Sequence, residues 1–117
     1  MSELALVLLL ALALACSGWV CAVLPWETVF GAGLLLTALG IVAGVPAGVV
    51  YHARLYQALA PRDALPARWW LRPVELHARL LPAERPGVMR WFSVGAAGFV
   101  LALVGSVAVA VGLWRSR

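Results

Sequence analysis

The chain has 117 residues, of which 64% are hydrophobic and 12% charged, with a net charge of +4. No water-soluble domain hides so much apolar surface behind so little polar surface, so a lipid bilayer must be part of the solvent. The length gives one transmembrane domain over residues 1–117 and leaves no room for a large soluble core, so a protein without enzymatic activity is expected.

All nine basic residues are Arg, there is no Lys or Asn, and Ile occurs once, a usage typical of a GC-rich bacterial genome. Seven of the nine Arg fall within residues 53–90, between apolar runs. Anionic headgroups are the nearest partner there, which sets nucleic acid aside.

The first apolar run covers residues 4–24 and carries no charge. At about 1.5 Å per residue it matches the roughly 30 Å hydrocarbon core. Leu14-Ala15-Cys16 faintly resembles a lipoprotein cleavage box, but the absence of a basic start and the length of the run favour an uncleaved helix. Ala11, Ala15, Gly18 and Ala22 form its small-residue stripe. Cys16 and Cys21 sit about 140° apart around such a helix, out of reach of each other, and read as small apolar fillers.

Pro25, Trp26 and Glu27 make a tight turn into the second run, residues 28–51, whose polar continuation His52, Arg54, Tyr56 and Gln57 carries the helix out of the bilayer until Pro61. Gly40, Gly44 and Gly48 give two overlapping GxxxG repeats on one stripe, a face on which another backbone can approach closely. Pro46 removes a donor inside this helix, so a kink is expected near it.

Residues 53–90 interleave Arg with Pro61, Pro66, Pro73, Pro82 and Pro86. Within them, residues 72–81 predict a short amphipathic helix with Pro73 at its first position and Pro82 at its end, in which Glu75 and Arg79 sit one turn apart and can pair. With Trp69 and Trp70 before it, this segment is expected along the membrane surface, its Leu and Trp side chains turned toward lipid and Arg68, Arg72, Arg79 and Arg90 among phosphates. The same residues, with Trp91, would serve a protein partner, since Trp and Arg are enriched both in membrane belts and in binding hot spots.

The third run, residues 91–114, is framed by Arg90 and Arg115. Gly98, Ala102, Gly105 and Gly112, spaced four, three and seven, trace a heptad-like seam. The fold expected is all-α: an integral membrane three-helix bundle with a short cytoplasmic interfacial helix between the second and third spans. Seven Arg between those spans, none between the first two and two after the third place the N-terminus and the Arg-rich loop in the cytoplasm and the C-terminus outside an inner membrane.

No acidic residue lies in mid-membrane, which argues against a proton-coupled carrier or pump. There is no phosphate-cradling Gly loop, no Cys/His metal spacing and no nucleophilic triad, so no cofactor is expected. The reading that results is a small accessory or assembly subunit of a larger membrane complex, or a self-associating protein, in contact with lipid and with other subunits or copies of itself. The alternative is a membrane anchor of a redox complex in which His52 or His77, the only histidines, contacts haem or quinone.

Overall fold

A computed structural model describes residues 2–117, the side chain of Leu6 excepted, and it is all-α. Three long helices, α1 (Glu3–Val23), α2 (Trp26–Leu59) and α3 (Arg85–Arg115), are joined by the Leu24-Pro25 turn and by a segment of three short 3₁₀ helices at Ala60–Arg62, Trp69–Leu71 and Pro73–Arg79. Each long helix is long and apolar enough to cross a membrane.

The helix ends follow from local chemistry. Ser2 caps α1, its hydroxyl accepting from the Ala5 N–H at 3.2 Å, and Glu3 sits where the helix dipole favours a negative charge. Leu24 is extended, as a residue before proline should be, and the Pro25 carbonyl accepts from Thr28 and Val29 to open α2. α2 runs unbroken through Pro46 and past the second apolar run. At 34 residues it is about 51 Å long, which exceeds a hydrocarbon core of roughly 30 Å.

α3 starts at Arg85, six residues earlier than the apolar run, because Pro86 falls in the first turn, where its missing N–H costs no hydrogen bond. The segment expected as one short helix is a 3₁₀ helix, Pro73–Arg79, bounded by Arg72 and by extended Leu80. Side chains at i and i+3 eclipse in that geometry, whereas i and i+4 diverge. Glu75 accordingly meets Arg72 at 3.7 Å, and the Arg79 guanidinium donates to the Ala64 carbonyl at 2.7 Å instead of pairing with Glu75.

The chain resolves into two compact units, to both of which α2 and α3 contribute. One comprises the residues up to Leu36 with Val104–Arg117. Here Val29 and Ala108 are buried, and the Arg115 guanidinium donates to the carbonyls of Cys21 and Leu24, the latter at 2.6 Å, satisfying acceptors that the end of α1 leaves open. That contact sets the C-terminus beside the turn between α1 and α2. Along α1 itself almost every described side chain is exposed; only Ala5 and Cys21 are partly covered.

The other unit is Thr37–Leu103. It holds a buried cluster of Tyr51, Leu55, Leu59, Leu76, Leu80 and Val88, against which Trp69, Trp91 and Phe92 pack. This core forms where the end of α2, the 3₁₀ segment and the start of α3 converge. Leu55 and Leu59 lose all solvent contact, worth about 1.5–3 kcal/mol each where water is the alternative.

Candidate functional site

Within Thr37–Leu103, α2 and α3 cross on glycine. A Cβ at Gly40 would stand 2.5 Å from the Ala102 nitrogen and the Gly98 oxygen, and one at Gly44 would stand 3.2 Å from the Gly98 Cα. A Cβ at Gly98 would lie 2.7 Å from the Gly44 nitrogen and 2.8 Å from the Gly40 oxygen. Only hydrogen fits at Gly40 and Gly98, because every obstructing atom is backbone, and a Cβ at Gly44 would be a tight contact. Gly48 differs: nothing lies within 4 Å of where its Cβ would be, although Gly95 approaches its backbone.

In the other unit Gly105 is buried and its carbonyl would lie 2.7 Å from a Cβ on Gly33, while a Cβ at Gly112 would meet Phe30 at 2.8 Å. Gly33 and Phe30 were not singled out from the sequence. The spacing of seven from Gly33 to Gly40 is the signal that extends the stripe. On α1, by contrast, nothing lies within 4 Å of a Cβ at Gly18.

The two histidines come together around Tyr51. The Tyr51 hydroxyl and His77 Nε2 are 2.5 Å apart in a buried hydrogen bond, and the Tyr51 ring also meets the rings of His52 and Phe92 at centroid distances of 5.1 and 5.3 Å. His77 packs edge-on against Phe92 as well. Burial, and secondarily the Arg85 charge, hold His77 below the usual histidine pKa, so the neutral ring is favoured. His52 lies 2.8 Å through Nδ1 from the Gly48 carbonyl, which fixes the proton on that nitrogen, and its ring stands beside Trp69 at 5.9 Å. Among the described residues no three His, Cys, Asp or Glu side chains gather as metal ligands do.

Trp69 is therefore turned toward protein: it packs on the buried cluster and faces His52 and Tyr56. Leu76 and Leu80 are buried in the same core instead of facing lipid. Trp70, Leu71, Val74 and Leu81 keep more than half of their surface exposed. Trp91 is half-buried and lines, with Tyr51, Phe92 and Gly95, a recess of about 180 Å³.

No known protein family, characterised protein or solved structure matches the chain. Its chemistry is read from the residues alone.

Arg68, Arg72 and Arg79 come together around a second recess, of about 320 Å³, whose walls include Trp69, Leu71, Glu75 and Leu76. Arg90 is exposed and takes no part in it. Arg62 and Glu84, which the sequence did not mark out, fasten this region. Arg62 pairs with Glu84 at 2.7 Å and donates to the Arg79 carbonyl, and Glu84 accepts the Leu81 N–H. The pair closes a loop of more than twenty residues, and such a separation leaves no mark on the local sequence pattern.

Proposed function

We propose that this chain is a non-catalytic, multi-pass protein of a bacterial inner membrane, an accessory or assembly subunit whose stable state includes another polypeptide or further copies of itself. The observation that carries the reading is the exposure of α1. Its Ala11, Ala15, Gly18 and Ala22 stripe is the kind of face that lets helices approach; all four residues are exposed, and among the described residues nothing lies within 4 Å of where a Gly18 Cβ would stand. The close approaches of α2 and α3 use their own glycines, leaving the α1 face for a partner. Trp70 and Leu71 offer a second exposed contact at the end of the spans. In this reading the Arg-rich segment is cytoplasmic and the C-terminus, beside the first turn, lies outside.

Extraction in a mild detergent or nanodiscs at native expression level, followed by native mass measurement, tests this. Retained chains or multiples of the 12.4 kDa monomer are expected. A lone monomer, unchanged by crosslinking in membranes, would overturn the reading.

A second reading, a haem-contacting anchor, is favoured by one observation. His52 donates through Nδ1 to a backbone carbonyl, the arrangement that orients ligand histidines, and keeps Nε2 for a ligand. His77 is less suited, its Nε2 being held by Tyr51. A Soret band lost in His52→Ala would establish this reading, and a featureless visible spectrum from native membranes would remove it.

A further inference from the structure

We propose that the recess bounded by Arg68, Arg72 and Arg79 is a seat for a phosphate group carried on a net anionic ligand, with an anionic phospholipid headgroup or a free phosphate as its source. Three arginines and one acidic residue, Glu75, are among the residues that line a space of about 320 Å³. That space is at the small end of the range for ligand sites and suits a headgroup. The charges are placed to be used. Arg79 spends one nitrogen on the Ala64 carbonyl, which fixes its position while leaving further N–H donors. Arg72 touches Glu75 only at 3.7 Å, with both side chains largely in solvent, a contact loose enough to exchange for a phosphate oxygen.

Arg68 has no ion-pair or hydrogen-bond partner for its side chain among the described residues, and its backbone stands at φ 58°, ψ 32°, the left-handed region that non-glycine residues uncommonly occupy. The 3₁₀ helix it caps continues into Trp69 and Leu71, so the unusual backbone and the wall of the recess are one structure. Leu71 and Leu76 supply apolar wall, and the exposed Trp70 and Leu71 stand where acyl chains would approach if the segment lies at headgroup depth. Guanidinium forks match phosphate oxygens two at a time, which a diffuse basic surface does not.

The inference rests on the reading of residues 72–81, with Trp69 and Trp70, as a membrane-surface segment, and not on the presence of a partner subunit. The full chain, purified in neutral detergent, is titrated with dioctanoyl phosphatidylglycerol, dioctanoyl phosphatidylcholine and inorganic phosphate, and adducts are followed by native mass spectrometry. Because no partner is present, a failure of the subunit reading leaves the result standing. The glycerol lipid is expected to bind about tenfold more tightly than the choline lipid, and Arg68→Gln with Arg72→Gln to lose about tenfold. Arg54→Gln with Arg90→Gln, which removes the same charge outside the recess, should lose less than about threefold. Arg72→Lys keeps the charge without the fork and should fall between, at unchanged helical content by circular dichroism. Displacement of the lipid by millimolar inorganic phosphate would identify the phosphate group alone as the ligand, and resistance to it would identify the lipid headgroup. Equal retention of the two lipids, or equal losses in the two double variants, would overturn the proposal.

Discussion

Replacing Gly98 by Ala and, separately, Gly48 by Ala asks one question of two glycines on facing helices. Both gain the helix propensity that alanine has over glycine, about 1 kcal/mol, so this contribution cancels in their difference. At Gly98 the new methyl would lie 2.7 and 2.8 Å from Gly44 N and Gly40 O. Comfortable contacts between such atoms begin at about 3.5 Å. The obstructing atoms are backbone, no side chain can rotate away, and the helices must separate by several tenths of an ångström. Overpacking of this kind costs about 1–3 kcal/mol. At Gly48 the methyl meets nothing within 4 Å. Unfolding from detergent micelles by dodecyl sulfate, followed by far-ultraviolet circular dichroism, should place Gly98→Ala about 1–3 kcal/mol below Gly48→Ala. Equal stabilities would refute the close crossing of α2 and α3.

Leu55→Ala should cost about 2–5 kcal/mol in the same assay, because Leu55 is wholly buried, whereas Leu35→Ala, at a residue 61% exposed, should stay within about 0.5 kcal/mol. Tyr51→Phe strands the buried His77 Nε2 and should destabilise by about 1–3 kcal/mol, with little further loss when combined with His77→Phe. Since folding lowers the His77 pKa, the unfolded chain takes up the proton first. Stability should therefore be complete above the ordinary value of 6.5 and fall as the pH drops below it, and His77→Gln should flatten that dependence in a pH series. Arg115→Gln frees the carbonyls of Cys21 and Leu24 and should speed proteolysis at the turn between α1 and α2, read by limited digestion in micelles.

The spans were legible because lipid imposes length and apolarity on a helix directly: the runs at 28–51 and 91–114 fall inside helices, and the run at 4–24 does so up to Val23. Their extensions were half legible. The polar tail of α2 followed from Pro61, but the early start of α3 was hidden by Arg85 and Arg90, which look like loop until Pro86 is seen as a first-turn residue. The segment between them was legible in its start at Pro73, ends at Arg79 ahead of the expected stop at Pro82, and was misleading in its orientation. Amphipathicity marks one apolar side without saying whether lipid or protein covers it, and here Leu76, Leu80 and Trp69 are turned to a protein core. That core depends on Tyr51, Leu55 and Leu59 meeting residues some twenty positions onward, a pairing that no periodicity records. The recess of Arg68, Arg72 and Arg79 shows the same limit: all three residues stood out by charge, but only folding separates them from Arg90.

The central claim, that the small-residue face of α1 is covered by another polypeptide, is tested most directly by photo-crosslinking in native membranes from single positions on opposite sides of that helix. Benzoylphenylalanine at Ala11 or Ala15 lies on the stripe, while at Ala13 or Val20 it lies on the far side; all four residues are exposed. The account predicts protein adducts of defined mass from Ala11 and Ala15 and only lipid adducts from Ala13 and Val20. Lipid adducts from all four positions would contradict it.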